Sequence, residues 1–148
     1  MPKVYTIIRG NGDILVGSGG RSGRQQRVRT GLHLPGGTMD QGEDPFTAAI
    51  REAWEETGIN LFAQDIINHF ELMLNGQQVY FVVFEVFSVA DEIMTRVTPS
   101  ITNIYDEPFA ALQSLRFNQC INNPNFSSTH NTDWFAQGLL YASQRNML

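Results

Sequence analysis

The alternation of apolar and polar positions along the chain predicts two pairs of β-strands. Residues 3–9 are β-prone, and a Gly-Asn-Gly turn signal separates them from a second apolar run at residues 14–16. Two longer β-prone runs cover residues 66–74 and 78–88, and an Asn-Gly turn joins them. Because Asn-Gly between apolar runs is a strong hairpin signal, we expect antiparallel strands of one sheet here.

The run over residues 78–88 is apolar on both faces, which is typical of a central strand covered by helices on both sides. Glu85 interrupts this run. A buried carboxylate needs a partner, so Glu85 either faces a site as a base or ligand, or marks the point where the strand reaches solvent. The second interpretation is favoured, because charged residues are rarely fully buried.

Helix signals enclose residues 45–57. Asp44 is a suitable N-cap, Pro45 suits the first helical position and Gly58 suits the stop. At about 100° per residue, apolar and acidic side chains occupy separate arcs of this helix. The apolar arc holds Phe46, Ile50, Ala53 and Thr57, and the acidic arc holds Glu52, Glu55 and Glu56. We therefore predict that the apolar arc faces the core and that the acidic arc is not buried.

The acidic arc by itself destabilises the helix, so another group is expected to offset its charge. Like charges at this spacing disfavour a helix by about 0.2–0.5 kcal/mol per pair, and the helix dipole disfavours anions near the C-terminal end. Mg²⁺ is usually held by one or two carboxylates together with substrate phosphates. On charge spacing alone, a solvated acidic face is commoner than a metal site. The residues around the helix are therefore needed to distinguish these two explanations.

Residues 37–59 resemble the signature of the Nudix (MutT-like) hydrolases, Gly-x5-Glu-x7-Arg-Glu-U-x-Glu-Glu-x-Gly-U, where U is a bulky aliphatic residue. Every fixed position is present, and Leu-Pro-Gly-Gly at residues 34–37 looks like the family's usual entrance to the motif. Ile59 fits the last U, while Ala53 is smaller than the first U usually is, which affects packing more than chemistry. The fixed positions are Gly37, Glu43, Arg51, Glu52, Glu55, Glu56 and Gly58.

The resemblance implies an α/β fold, specifically a Nudix-type α/β/α sandwich with a mixed sheet and a loop-helix-loop catalytic motif, over residues 1–148 as a single domain. It implies hydrolysis of a nucleoside diphosphate linked to another moiety, with Mg²⁺ as cofactor and Mn²⁺ as a substitute. The implied catalytic residues are Glu52, Glu55 and Arg51, with Arg51 gripping a neighbouring glutamate through its guanidinium fork. The implied metal ligands are the Gly37 carbonyl, Glu43, Glu52, Glu55, Glu56 and, outside the motif, Glu107.

Glu107 is implied because residues 106–115 look like a later family segment, in which an acidic residue precedes an apolar strand. Leu112 departs from that pattern, since an aromatic residue is common there. Whether the general base lies in the motif or outside it, at Glu85 or Glu107, stays open. Crowded carboxylates should titrate as a coupled set, so we expect steep metal dependence and activity favoured at alkaline pH.

Residues 17–29 are rich in Gly and Ser and carry four of the ten basic residues of the chain. Arginine pairs with phosphate oxygens through two parallel hydrogen bonds, so one interpretation is a mobile loop that binds substrate phosphates. The other is a solvated loop whose charges offset the acidic site, and the sequence does not separate the two. The four residues are Arg21, Arg24, Arg27 and Arg29.

The remaining candidate residues favour structural roles. His33, within a short strand predicted at residues 32–34, is more often a strand residue than a ligand. Cys120 is the only cysteine and is best explained as a small buried hydrophobe. Residues 91–103 are predicted to form a loop. A last helix is predicted over residues 134–145.

That last helix has Thr132-Asp133 as its cap, with Phe135, Leu139 and Ala142 facing the core. Trp134 and Phe126 could stack on a nucleobase, but core packing is the commoner role for such aromatic residues.

Composition limits the classes of partner that the protein is expected to bind. The net charge is −5, which argues against a general nucleic-acid surface but not against a nucleotide substrate. No apolar run approaches the roughly 20 residues of a membrane span, and the start lacks signal-peptide features. We therefore expect a cytoplasmic protein with a small-molecule nucleotide substrate and no membrane partner. A homodimer is open, since dimers are common among proteins that resemble this one.

Substrate choice in the family is set outside the motif. The proline typical of ADP-ribose hydrolases and the tyrosine typical of diadenosine polyphosphate hydrolases do not follow the motif at the usual distances, and the coenzyme A signature is not recognisable. This favours nucleoside triphosphates, including damaged dNTPs, cleaved to NMP and pyrophosphate. The alternatives are a nucleotide sugar or dinucleotide substrate, or a non-catalytic nucleotide-sensing domain, which would be expected to lose motif glutamates.

Overall fold

A central β-sheet organises the computed structural model, which describes residues 1–99, 105–127 and 133–148. A short 3₁₀ helix at Ala63–Asp65 precedes β6. The strands and helices are β1 (Lys3–Gly10), β2 (Asp13–Ser18), β3 (Arg21–Ser22), β4 (Arg27–Val28), β5 (Gly36–Thr38), α1 (Pro45–Thr57), β6 (Ile66–Leu74), β7 (Gln77–Glu85), α2 (Val89–Thr95), β8 (Ala111–Arg116), α3 (Phe117–Ile121) and α4 (Trp134–Gln144).

The sheet is mixed. Its strand order is β6-β7-β1-β2-β8, and β5 adds to β1 at one end. β1 pairs with β7 in parallel, whereas the β1–β2, β1–β5, β2–β8 and β6–β7 pairs are antiparallel. β3 and β4 form a separate two-stranded arm. β7, β1 and β2 are therefore the interior strands of the sheet. For β7 this agrees with the two-sided apolar pattern of residues 78–88.

Alternate side chains of the central strands pack on opposite faces of the sheet. In β1, Tyr5 and Ile7 belong to one hydrophobic cluster, which also includes Phe135 and Leu139 of α4. Val4 and Ile8 belong to the other cluster, with alanines of α1 and Val89 of α2. The sheet thus lies between two helical layers, and the α/β/α sandwich predicted from the sequence is confirmed.

Both predicted hairpin turns form. Asn11 and Gly12 have φ of 53° and 82°, and Asn75 and Gly76 have φ of 51° and 77°. Two consecutive residues with positive φ are the requirement of the type I′ turn, which Asn-Gly meets at low cost. These turns set the β1–β2 and β6–β7 pairs.

Three predicted boundaries are wrong. Residues 91–95 belong to helix α2 rather than to a loop, because the Ser88 hydroxyl caps the Asp91 N–H at 3.2 Å and Val89 is buried against the sheet. β7 ends at Glu85 rather than at residue 88. Residues 32–34 make only isolated bridges, Gly17 to His33 and Leu32 to Phe126, and the strand in this region is β5.

The predicted structural residues pack in the core. Cys120, Phe126 and Trp134 are all buried in the cluster beneath α4, and burial raises the pKa of the Cys120 thiol to about 11. Helix α4 runs from Trp134 to Gln144 with Asp133 at its N-cap position, while Thr132 lies outside the described residues. None of the helices in the described ranges has the length and apolarity that crossing a membrane requires.

Candidate active site

Helix α1 presents the acidic residues of the motif. The Asp44 side chain accepts the Thr47 N–H at 2.8 Å, and Pro45 occupies the first turn. At the other end Gly58 takes φ of 75° and donates its N–H to the Trp54 carbonyl, a left-handed stop that glycine adopts without strain. The helix over residues 45–57 predicted from these caps is confirmed.

The acidic arc of α1 is buried, contrary to the sequence prediction. Glu52 and Glu56 are only 4% and 5% exposed, while Phe46 and Ile50 of the apolar arc are partly buried. The helix fills the core through its small residues, Ala48, Ala49 and Ala53. The acidic arc is covered instead by the backbone of β5 and by polar side chains, so its burial does not follow from hydrophobicity.

Glu56 is held by two donors. Its Oε1 accepts the Gly36 N–H at 2.6 Å, and its Oε2 accepts from Arg29 Nη2 at 3.2 Å. Burial and then the charge of Glu52 raise the pKa of Glu56 well above its usual range, with Arg29 acting in the opposite direction. The charged form of Glu56 is therefore disfavoured in this site despite its ion pair with Arg29.

Glu52 lies against the glycine turn. A Cβ at Gly37 would stand 2.9 Å from Glu52 Oε1, so only glycine leaves this carboxylate room beside the backbone. Burial raises the pKa of Glu52 to about 7, with Arg51 opposing the shift and Glu55 and Asp106 adding to it. Glu52 is thus the second buried carboxyl group of the site.

Arg51 ties the motif carboxylates together. Its Nε and Nη2 donate to the two oxygens of Glu43 at 2.8 and 2.9 Å, and its Nη1 donates to Glu52 and to Glu55, both at 3.2 Å. The bidentate bond to Glu43 lowers the pKa of that carboxyl and raises the pKa of the guanidinium. This is the gripping geometry expected of Arg51.

The donor set suits a hard divalent cation. Carboxylate and carbonyl oxygens are the ligands that Mg²⁺ takes, and Glu52 and Glu56 lie beside the Gly36–Gly37 backbone with raised pKa values. Within the described ranges, no three His, Cys, Asp or Glu side chains are already gathered around one point. The residues present therefore fit a metal by chemistry and charge, and Arg29 and Arg51 hold the carboxylates in place.

Outside the motif, Asp106 is the acidic residue that acts on the buried pair. Its charge raises the pKa of both Glu52 and Glu56, and it lines the cleft beside Glu56. Glu107 is exposed and accepts the Arg21 N–H at 3.1 Å, so its carboxylate faces the arm. Asp106 also contacts the arm, since its Oδ1 accepts the Gly23 N–H at 3.0 Å. The sequence pattern gave no means of choosing between these two acidic residues. Asp106 is therefore a candidate site residue that the sequence reasoning did not single out.

Glu85 also lies away from the motif. It is at the end of β7, half exposed, with Arg9 Nη1 at 3.6 Å from its Oε2. This placement agrees with the interpretation that Glu85 marks the point where the strand reaches solvent.

The four arginines of residues 17–29 separate into two groups. Arg21, Arg24 and Arg27 are exposed on the β3–β4 arm, where Arg21 donates to the Gln26 carbonyl and Arg24 lies over the Tyr105 ring. Arg29 is buried against Glu56. Of the four arginines, only Arg29 lines the cleft described next, together with Ser22 and Gly23 of the arm.

A cleft of about 310 Å³ opens beside Glu56, Gly36 and Gly37. Tyr5, His33 and Phe135 form an aromatic wall of this cleft, with Tyr5 and Phe135 ring centroids 5.0 Å apart.

On the rim of the cleft, Lys3 donates to the Thr38 hydroxyl at 2.7 Å. Burial lowers the pKa of His33. The cleft thus combines carboxylates at one end, an aromatic wall and a cation.

Replacing Gly37 by alanine is expected to separate folding from activity. The added Cβ displaces the end of the Glu52 side chain rather than backbone, so the fold should survive. A displacement of about 1 Å at a reacting group can cost about 100-fold in rate, and we expect a loss of that order in metal-dependent turnover. Thermal unfolding and turnover, measured on the same preparation, check this, and full turnover would show that Glu52 does not need this position.

Comparisons with known proteins agree with the motif. The family model described as the NUDIX domain matches residues 2–127. A stretch of 54 residues is 39% identical to an RNA pyrophosphohydrolase of Roseobacter denitrificans, covering 36% of this chain and 31% of that relative. The matched stretch is therefore about a third of that relative's length.

Two solved structures are similar to the chain over nearly its whole length. One is a MutT protein from Methanosarcina mazei Go1, with a TM-score of 0.65 and 21% identity over 99% of this chain and 94% of that chain. The other is a C. elegans Ap4A hydrolase, with a TM-score of 0.59 and 18% identity over 98% and 97%. At these identities the similarity shows the fold.

Proposed function

Because this chain belongs to the Nudix family, we propose that it is a divalent-metal-dependent hydrolase that cleaves a diphosphate bond in a nucleoside diphosphate derivative. One observation carries the proposal. Two buried carboxyl groups with raised pKa values, Glu52 and Glu56, stand beside the Gly36–Gly37 backbone, and Glu56 lines one end of the cleft. Buried carboxylates of one sign are costly, and a cation with a phosphate ligand would offset that cost.

The residues proposed to hold Mg²⁺, or Mn²⁺ in its place, are the Gly37 carbonyl, Glu52, Glu55 and Glu56. Glu43 contributes as a further ligand, and Asp106 adds charge from outside the motif. A bound divalent ion would neutralise phosphate oxygens and lower the pKa of an attacking water. Arg51 keeps Glu43, Glu52 and Glu55 in place through its four hydrogen bonds.

The protein's own part in the reaction is orientation and proton removal. The water oxygen attacks a phosphorus, the bridging P–O bond breaks, and the leaving phosphate takes the bonding electron pair. A glutamate accepts the water proton. Glu52 and Glu55 are both candidates for this role, since a divalent ion bound to either carboxylate would lower its pKa.

A nucleoside triphosphate or damaged dNTP, giving NMP and pyrophosphate, is the favoured substrate. The aromatic wall of Tyr5, His33 and Phe135 suits a nucleobase. Lys3 supplies a cation on the rim near the motif backbone. The alternatives of a nucleotide sugar or dinucleotide would use the same carboxylates with a different partner in the cleft.

A phosphorylated RNA end is a second candidate. The motif-length identity to an RNA pyrophosphohydrolase favours it, while the net charge of −5 weighs against extended contact with RNA. A non-catalytic nucleotide-sensing role is disfavoured, since the chain keeps Glu43, Glu52, Glu55 and Glu56.

Product identification by chromatography tests the proposal. The panel contains NTPs, dNTPs, oxidised dNTPs, ADP-ribose, nucleotide sugars, dinucleoside polyphosphates and 5′-triphosphorylated or capped RNA, each with Mg²⁺ or Mn²⁺. We expect NMP and pyrophosphate from one nucleoside triphosphate class. NMP with a sugar phosphate, or shortened RNA ends, would identify an alternative substrate. Tight nucleotide binding without cleavage of any member would contradict the hydrolase proposal.

A further inference from the structure

Arg29 and Glu56 form a buried ion pair across two segments of the fold. Their side chains are 5% and 6% exposed, with Arg29 Nη2 at 3.2 Å from Glu56 Oε2. The other carboxylate oxygen accepts the Gly36 N–H at 2.6 Å. Each oxygen of this carboxylate therefore has one fixed donor, and the two donors together define the plane of the carboxylate.

The guanidinium of Arg29 is itself fixed. Its Nη1 donates to the Gly19 carbonyl at 3.1 Å, and its planar group lies 4.8 Å from the centroid of the Phe109 ring. Backbone hydrogen bonds link the same residues. The Arg29 N–H donates to the Gly20 carbonyl, and the Phe109 N–H donates to the Glu56 carbonyl. Gly20 has φ of 77°, and a Cβ there would collide with the Pro108 carbonyl oxygen and stand 2.7 Å from Arg29 Nη1, so glycine is needed there. Arg29 is thus a rigid donor.

We propose that Arg29 is a positioning residue, which fixes the Glu56 carboxylate in the orientation needed to bind the divalent cation. This inference rests on the proposed metal site. Arg51 grips Glu43, Glu52 and Glu55 but makes no hydrogen bond to Glu56 among the contacts of the described residues. Arg29 therefore holds Glu56, the motif glutamate to which Arg51 does not donate, although Arg29 itself lies outside the motif.

A purely competitive role makes the opposite prediction. If Arg29 only occupied the place of the metal, its removal would tighten metal binding, because one competing positive charge would be lost. If Arg29 orients the ligand, its removal weakens metal binding. Outer-shell partners of metal ligands typically contribute about 10–100-fold in affinity, and the second donor on Glu56, the Gly36 N–H, would remain.

The test measures Mn²⁺ affinity directly, from the electron paramagnetic resonance signal of free Mn²⁺ in titrations of wild type, Arg29→Met and Arg29→Lys. Arg9→Met is the matched control, because it removes an arginine from a partly exposed pair with Glu85. We expect the Kd for Mn²⁺ to rise about 10–100-fold in Arg29→Met, less in Arg29→Lys, and not in Arg9→Met. Partial rescue by lysine is expected because it keeps the charge and loses the fork.

An unchanged or lower Kd in a folded Arg29→Met would overturn the inference while leaving the proposed function in place. Absence of Mn²⁺ binding by the wild type would overturn both. Circular dichroism shows whether Arg29→Met folds. If it does not, Arg29→Lys decides alone: a Kd above that of Arg9→Met supports positioning, and an equal Kd overturns it.

Discussion

Replacing Glu56 by glutamine is expected to lower metal-dependent turnover at least about 100-fold, with the protein still folded. Loss of an outer-shell partner alone costs about 10–100-fold, and Glu56 is proposed as a direct ligand. Glutamine has nearly the same shape but offers one acceptor oxygen, so it can accept from Arg29 or from the Gly36 N–H but not from both. The unmet donor costs about 1–3 kcal/mol of folding free energy, and removal of a buried carboxyl whose pKa is raised offsets part of that cost.

Turnover of the identified substrate, together with circular dichroism, checks this result. Glu71→Gln is the matched control, because Glu71 is an exposed carboxylate on β6 that hydrogen-bonds Gln78. It makes the same chemical change away from the cleft, and it should keep wild-type turnover. Full Mg²⁺-dependent turnover by Glu56→Gln would remove Glu56 from the ligand set.

The fold was predictable wherever the decisive interactions are local in sequence. Helix α1 follows from the Asp44 cap, Pro45 and Gly58, and the hairpins follow from their Asn-Gly turns. Helix α2 was missed although Ser88 and Asp91 have cap spacing. Its charged, poorly periodic sequence hides the single residue, Val89, that anchors it, and most of the stability of a short helix comes from packing.

The arrangement of the site was less predictable, because its contacts join distant segments. Periodicity separates apolar from acidic positions but says nothing about what covers the acidic ones, so the burial of Glu52 and Glu56 was unforeseen. Arg29 precedes Glu56 by 27 residues, and the sequence showed only that arginines were clustered. Asp106 and Glu107 both accept backbone N–H groups of the β3–β4 arm, but only Asp106 lines the cleft, which the sequence pattern does not show.

Replacing Glu52 by glutamine is expected to stabilise the metal-free protein at alkaline pH while impairing its activity. The folded-state pKa of Glu52 is raised to about 7 from 4.5, mainly by burial. Between these values the folded state binds more protons than the unfolded state, so stability falls as pH rises through this window. Below about pH 4.5 the carboxyl is protonated in both states, and the glutamine variant should then match the wild type.

The shift of Glu52 corresponds to about 3 kcal/mol, of which we expect the variant to recover about 2–3 kcal/mol at pH 8. For a chain of this size that is a rise of about 5–10 °C in Tm. Arg51 keeps Glu43 and Glu55 as partners in the variant, so the substitution leaves no cation unpaired. This distinguishes Glu52→Gln from Glu56→Gln, in which Arg29 loses its charged partner.

Thermal unfolding in EDTA at pH 4.5 and pH 8 measures the effect, with Glu71→Gln as the control for loss of an exposed carboxylate. Added Mg²⁺ should raise the Tm of the wild type more than that of Glu52→Gln, because a ligand that binds only the folded state stabilises it in proportion to the logarithm of its occupancy. If the variant gains no stability at pH 8 relative to pH 4.5, Glu52 is not a buried charge in the metal-free protein. If Glu52→Gln is more stable than the wild type at pH 8 in EDTA but not in Mg²⁺, the buried carboxylate of Glu52 lowers the stability of the metal-free protein and is stabilised by the cation.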